Sequence, residues 1–285
     1  MRVRILGAGP IGLYLAQELI RANYQVSGLD LRLKGEQKKI TIRSKINGQK
    51  DLIEFDVDSA LSLKDDIIFV TTKSYAIDEL MIYNLINSPA EIIFLQNGLL
   101  VKSKLSGVSS KVALGTITGI QASIEKQQLL ASINNSKIII EVPSNSTKIR
   151  SLAAANSLKN TTFEFSTTSQ KLIYEKFVRW AVTSCLNIIF DTTLGECLEL
   201  MDPNEITAGI SELTTFINLK FNVMLNMKRI LLDLNSLPYE LVTSSYKDHK
   251  NGSLSEITLE LDDILNYFSQ AKINSVVLQK WRAKI

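Results

Sequence analysis

The apolar positions of this chain follow two regimes that meet near residue 167. Before that point short apolar runs alternate with amphipathic stretches; after it apolar residues recur almost throughout at three- and four-residue spacing. Residues 2–6 form a short apolar run, six residues containing three glycines interrupt it, and Leu13, Leu15, Leu19 and Ile20 resume with helical spacing. The pattern predicts strand, tight turn, helix. A second strand is predicted over 25–29. Residues 41–46 and 52–55 flank Asn47-Gly48, the pair that favours a two-residue hairpin turn. The runs 67–70 and 92–95 are apolar without alternation, as expected of parallel strands buried on both faces, and a helical stretch over 76–85 separates them. Strand-like pieces follow at 112–117, 137–142 and 163–165, with one helical stretch over 148–158.

After residue 168 strand signals nearly vanish. Helical spacing runs through 169–190, 204–230, 238–249 and 256–282. One start is explicit: in Asp202-Pro203-Asn204-Glu205 the aspartate caps, the proline takes the first turn and the glutamate reaches back. Ser253-Leu254-Ser255-Glu256 has the spacing of a capping box ahead of the last helical stretch. Together these patterns predict an α/β fold. A Rossmann-like, doubly wound domain is expected over 1–167, and an all-α domain over 168–285.

Composition narrows the function. The chain of 285 residues is 45% hydrophobic and 21% charged, and 32 Lys+Arg against 29 Asp+Glu leave a net charge of +3. That balance argues against nucleic acid as the partner. The two cysteines, Cys185 and Cys197, lack metal-ligand spacing and are too few for a disulfide framework, which fits a reducing cytoplasm. A single histidine, His249, argues against multi-histidine metal chemistry. Glycines and a proline break the apolar start, so it does not read as a signal peptide, and no uncharged apolar run reaches membrane-spanning length.

The candidate chemistry begins at the turn Gly7-Ala8-Gly9-Pro10-Ile11-Gly12. After a strand and before a helix, this G-x-G-x-x-G spacing serves a tight turn, a close approach to pyrophosphate and close helix packing. Asp30, 18 residues past Gly12, would accept hydrogen bonds from a ribose 2′-hydroxyl and so favour NADH, whereas Arg32 would receive the 2′-phosphate of NADPH. Both options stand. Lys73 and Asn97 follow the strands at 67–70 and 92–95, and ligands of open parallel sheets bind beyond the carboxyl ends of strands. Each also has an ordinary reading, as a surface lysine and an Asn-Gly turn. Lys176 sits on a helix between Leu172 and Trp180, where desolvation would lower its pKa and suit it to general acid catalysis; a lysine snorkelling from a helix flank is the alternative. Ser244 and Asp248 lie one helical turn apart.

In order and spacing these residues resemble the ketopantoate reductases. The resemblance is carried by GAGPIG at 7–12, Lys73 in VTTKSY, Gln96-Asn97-Gly98, Tyr174-Glu175-Lys176-Phe177, Leu194-Gly195-Glu196, and Ser244-x-x-x-Asp248-x-x-x-Gly252-x-x-Ser255-Glu256-Ile257. It implies reduction of ketopantoate to pantoate, usually with NADPH, on the route to pantothenate and coenzyme A. It implies Lys176 as general acid, Ser244 and Glu256 as substrate ligands, and Lys73 and Asn97 at the nicotinamide and substrate, with Glu256 also near the dinucleotide. Where the family often carries asparagines after the lysine this chain has Trp180 and Ser184, and Thr183 and Asn187, seven and eleven residues beyond Lys176, are the stand-ins for substrate binding. The family's Asp-x-x-Asn-Gly after the Glu-Ile pair is absent, Thr258, Leu261 and Asp262 occupying it, and Ile273-Asn274-Ser275 replaces a late Thr-Pro segment. A small 2-keto acid is the expected substrate, ketopantoate first and another branched 2-keto acid as the alternative, and a nicotinamide-dinucleotide sensor without turnover is the rival of a different class. The oligomeric state is open, a homodimer being one option.

Overall fold

The computed structural model describes residues 1–29, 38–58, 65–104, 111–126, 128–141, 146–155, 158–166 and 168–285. Asp30 and Arg32, the residues expected at the ribose, lie outside the described residues. The chain divides into two compact units, one of residues 1–96 with 105–170, the other of 97–104 with 171–285. The short segment 97–104 thus joins the carboxy-terminal unit, a feature that reading the chain in sequence order does not predict.

In the first unit, strand β1 (Arg2–Leu6) is buried from Val3 onward and leads through the glycine turn into helix α1 (Pro10–Arg21). Strand β2 (Gln25–Leu29) lies parallel to β1 on one side, and strand β5 (Ile67–Val70) lies parallel to it on the other. Between β2 and β5 come strands β3 (Lys38–Ile46) and β4 (Gln49–Asp58), an antiparallel hairpin longer at both ends than the predicted strands. Its turn has positive φ at both Asn47 (45°) and Gly48 (85°), the handedness that matches strand twist. A single 3-10 turn (Ser74–Ala76) and helix α2 (Glu79–Ile86) lead to strand β6 (Glu91–Leu95). Where one continuous helix is predicted over 76–85, the chain breaks, and Asp78 caps α2 by accepting from Met81 N at 2.7 Å.

The sequence signal stops short on the next two strands. Strand β7 (Val112–Glu125) and strand β8 (Gln128–Ile140) form one long antiparallel hairpin, of which only 112–117 and 137–142 read as strand in the sequence. The register shifts between Thr118 and Ile120, where Gly119 (φ +68°) and Asn135 (φ 49°) take left-handed conformations and interrupt the pattern, while residues 120–125 beyond it alternate apolar and polar, as a half-exposed strand does. Helix α4 (Lys148–Ala155) and strand β9 (Thr161–Glu164) complete the unit. The sheet order is β3-β4-β2-β1-β5-β6-β7-β8-β9, and Arg43–Ile46 of β3 also pair parallel with residues 128–131 of β8. Val3, Ile5, Phe69 and Ile93 from the sheet pack with Tyr14, Leu15 and Leu19 of α1 in its core.

The second unit is helical: α3 (Leu100–Lys104), α5 (Ser169–Phe190, its first residues in the other unit), α6 (Leu194–Leu200), α7 (Pro203–Phe221), α8 (Met227–Asn235), α9 (Ser244–Lys250), α10 (Glu256–Gln270) and α11 (Val277–Arg282). Helix α5 is apolar on nearly every side, with Tyr174, Phe177, Val178, Ala181, Cys185 and Leu186 all buried, as a central core helix must be. The predicted helix over 204–230 ends instead at Phe221. Asn222, with φ 55°, turns the chain, and α8 restarts behind an Asn226 cap. Asp202 caps α7 as expected, accepting from Asn204 N at 2.9 Å, but Glu205 does not reach back; its carboxylate accepts from Trp281 Nε1 at 2.9 Å and pairs with Lys280. The predicted stretch 256–282 likewise breaks between α10 and α11. No helix among the described residues is long and apolar enough to cross a membrane.

Candidate active site

In the first unit the chemistry gathers where the strand order reverses, between β1 and β5. The three glycines there have different physical reasons. A Cβ on Gly7, whose φ is +117°, would lie 2.7 Å from Thr72 N, and one on Gly12 would lie 2.0 Å from Gly7 O, so both positions are dictated by the close packing of turn, helix and β5. A Cβ on Gly9 would meet nothing within 4 Å. The protein itself therefore does not require glycine at position 9, whereas a pyrophosphate lying close to the backbone does. Gly9 is the N-cap of α1 without a capping side chain, Pro10 takes the first turn, and no acidic residue lies in that turn. These features leave the positive end of the helix dipole for an anion. Ala8 is exposed and Ile11 partly so. Thr71, not singled out from the sequence, clasps the turn by donating its hydroxyl to Gly7 O at 3.0 Å.

Lys73 follows β5 in an extended conformation and opens the 3-10 turn. Beside it in sequence, Thr72 Oγ1 is buried without a hydrogen-bond partner, as is Gln96 Oε1 at the end of β6, while Gln96 Nε2 donates to Thr72 O at 2.8 Å. Unpaired buried polar atoms cost free energy, and two of them at the carboxyl ends of neighbouring parallel strands fit a polar ligand. The residues present thus fit a dinucleotide.

In the second unit Lys176 projects from α5, and its Nζ donates to Asn97 Oδ1 at 2.8 Å. Burial pushes the amine down to about 7, Arg179 one turn away pushes the same way, and the Glu256 carboxylate opposes both. Glu256 is the first residue of α10 and is buried. The capping box does not form. The helix starts at Glu256 itself, and its N-cap Ser255 donates to Ser245 O at 3.2 Å instead of capping. The sequence spacing that made Glu256 look like a cap is therefore coincidental, and the charge of the glutamate acts on Lys176.

The other expected substrate residues fall into two groups. Ser244 is exposed at the start of α9, behind the N-cap Thr243, whose hydroxyl accepts from Tyr246 N at 3.3 Å and from Ser184 Oγ at 3.1 Å. Asn187 is buried with its amide spent on backbone: Nδ2 donates to Thr192 O at 2.9 Å, and Oδ1 accepts from Thr243 N at 3.1 Å. It anchors the loop ahead of Ser244. Thr183 is buried, and its hydroxyl, like Trp180 Nε1, has no partner. Gly195, part of the Leu-Gly-Glu motif, has a packing reason: a Cβ there would lie 2.0 Å from the Tyr239 ring.

A family model described as ketopantoate reductase PanE/ApbA matches residues 3–144. The chain belongs to that family. Membership makes it a nicotinamide-dependent oxidoreductase of the 2-keto acid type. Among solved structures, it is similar to D-mandelate dehydrogenase with NADH and anilino(oxo)acetate, with 17% identity and a TM-score of 0.82 over 100% of this chain and 97% of that one. It is similar to a ketopantoate reductase of the PanE/ApbA family from Ralstonia eutropha JMP134, with 17% identity and a TM-score of 0.79 over 99% and 96%. A dimeric ketopantoate reductase from Staphylococcus aureus shares 14% identity at a TM-score of 0.76 over 99% and 96%. These likenesses establish the fold. A search of curated sequences gives no significant match.

Proposed function

We propose that this protein reduces ketopantoate to pantoate with NADPH, Lys176 acting as general acid. The observation that carries the reading is the Lys176 amine, fixed by Asn97 at 2.8 Å and brought by burial to about 7, where a group both holds and yields a proton at neutral pH. When bound, the dinucleotide supplies a hydride from its nicotinamide ring. Gly7, Gly9, Gly12 and the start of α1 hold its pyrophosphate, with Ala8, Pro10 and Ile11 lining the same turn. Lys73 would hold the nicotinamide end. As the ketone carbon takes the hydride, Lys176 gives a proton to the carbonyl oxygen and becomes the neutral amine. Asn97 fixes the direction of one N–H of the ammonium. Glu256 keeps the amine protonated against burial, and with Ser244 and Thr183 it serves as a ligand for the keto acid. Asn187 acts one step back, holding the loop that presents Ser244.

Trp180 and Ser184 support a second reading, in which the substrate is another branched 2-keto acid: an indole with a buried, unpartnered N–H stands where the family often has an asparagine. Steady-state assays of ketopantoate and a set of branched 2-keto acids, each with NADPH and with NADH, separate the two. Highest kcat/KM for ketopantoate with NADPH is the expected result. A higher value for another keto acid selects the second reading, and no turnover of any 2-keto acid refutes both.

A further inference from the structure

Glu260 lies one helical turn beyond Glu256 on α10 and is buried at 1% exposure. Neither the sequence pattern nor the family resemblance singles it out. Its partners belong to the segment that carries Asn97: Glu260 Oε1 accepts from Leu100 N at 2.9 Å, and the Leu99 N–H also bonds to this carboxyl group. The contact extends to Gly98, where a Cβ would lie 1.8 Å from Glu260 Oε1. The backbone of residues 98–100 therefore rests directly on the glutamate, and only glycine at position 98 allows the approach. On the other side of that glycine, Asn97 Oδ1 accepts from Lys176 Nζ. An asparagine on a short connection would otherwise swing freely, and a hydrogen bond orients a lysine only as well as its acceptor is held.

We propose that Glu260 is a positioning residue for the proton donor: its carboxyl group clamps the backbone of residues 98–100 and thereby holds Asn97 against Lys176. The proposal rests on the reading of Lys176 as the acid. Glu260 touches no reacting atom and acts only through the loop. It also explains why residues 97–104 join the carboxy-terminal unit, since both ends of the chain of contacts, Lys176 and Glu260, belong to it.

The test compares Glu260→Gln, which keeps an acceptor for Leu100 N, with Glu260→Leu, which keeps the bulk and removes the acceptor. Gly98→Ala attacks the same contact from the loop side with Glu260 intact, and it carries the comparison if the leucine variant does not fold. The primary readout is independent of turnover: the pH at which the Lys176 amine titrates, followed by acylation of its peptide in mass spectrometry. Loss of the Asn97 acceptor removes a bond that favours the ammonium, so Lys176 should titrate about one pH unit lower in Glu260→Leu and Gly98→Ala than in Glu260→Gln. The charged groups that act on this amine, Arg179 and Glu256, are the same in all three. In parallel, kcat should fall roughly tenfold in Glu260→Leu, with glutamine recovering most of it and KM for the dinucleotide unaffected. Identical Lys176 titration in the three variants overturns the clamp even if the enzyme turns over. A wild-type protein that reduces no 2-keto acid while the titration shifts as described overturns the proposed function and leaves the clamp standing.

Discussion

At Lys176 three influences converge on one amine, and their signs give sharp expectations. Lys176→Ala should lower kcat by roughly 10²–10⁴-fold, the usual contribution of a general acid, with little change in melting temperature. Because the amine titrates near 7, kcat should fall above that pH, the protonated donor being lost. Glu256 raises the Lys176 pKa, so Glu256→Gln should move that limb to lower pH, as seen in a pH–rate profile; a limb that stays in place or moves up would remove Glu256 from the donor's surroundings. Gly9 makes a different kind of prediction. Space around its missing Cβ means that Gly9→Asp should fold normally, yet abolish dinucleotide binding by setting a carboxylate at the proposed pyrophosphate position. Calorimetry with NADPH checks it, unchanged binding being the contrary outcome. Gly12→Ala, by contrast, should disturb the fold itself, since its Cβ would meet Gly7 O at 2.0 Å.

Among the helices and strands a recurrent device is a carboxylate that caps a helix from far away in sequence. Glu91 on β6 accepts from Thr147 N, Lys148 N and Ile149 N at 3.0, 3.1 and 2.7 Å, and from the Ser146 hydroxyl. Glu212 on α7 does the same for α11, accepting from the N–H groups of Val276, Val277 and Leu278, each at 3.0 Å. Such caps satisfy donors that the helix cannot pair internally. Burial alone would raise the Glu91 pKa, but its hydrogen bonds outweigh burial and hold the carboxyl below the usual range. Its stabilisation is therefore present above the unfolded-state value and lost as pH falls through the lowered one. Glu91→Ala leaves buried N–H groups unpaired and should cost about 3 kcal/mol, measured by urea denaturation at neutral pH. None of these partnerships is visible in the sequence, since the caps recognised there are local. The local capping box read at Ser253 to Glu256 does not form, because the helix starts only at Glu256, with Ser255 as its N-cap.

For the molecule as a whole, Glu260 and Lys176 shape how stability depends on pH. Burial pushes Glu260 up to about 8 from an ordinary 4.5, while it pushes Lys176 down to about 7 from 10.5. Between about 4.5 and 7 Glu260 holds a proton in the folded protein that it lacks in the unfolded chain, so the contribution of these two groups to stability falls with rising pH at up to about 1.4 kcal/mol per unit. From 7 to 8 the extra proton on Glu260 is balanced by the one that folded Lys176 has released, and the combined contribution is flat. Above 8 only the lysine difference remains, and stability rises toward 10.5. Urea melts at pH 5, 7.5 and 10 should show this minimum, and Glu260→Gln should remove the falling limb at low pH. A minimum that persists in the glutamine variant would show that other groups produce it.

The amino-acid sequence by itself determined the strand, glycine turn and helix at the amino terminus, the apolar runs of β5 and β6, and the helical character after residue 168, because each is written in neighbouring residues through periodicity and turn preference. It read β7 and β8 only in part, since the left-handed glycine at 119 interrupts the strand pattern and residues 120–125, which do alternate apolar and polar, are not buried and lack the continuous apolar run that marks β5 and β6. Tertiary structure alone decided that Asn97 bonds Lys176, that the charge of Glu256 acts on the amine while its capping box does not form, and that Glu260 holds the backbone of residues 98–100. Those contacts join positions 79 and 160 residues apart. Hydrogen bonding and desolvation act through space, and a single sequence records the residue types but not which of them folding brings within 3 Å.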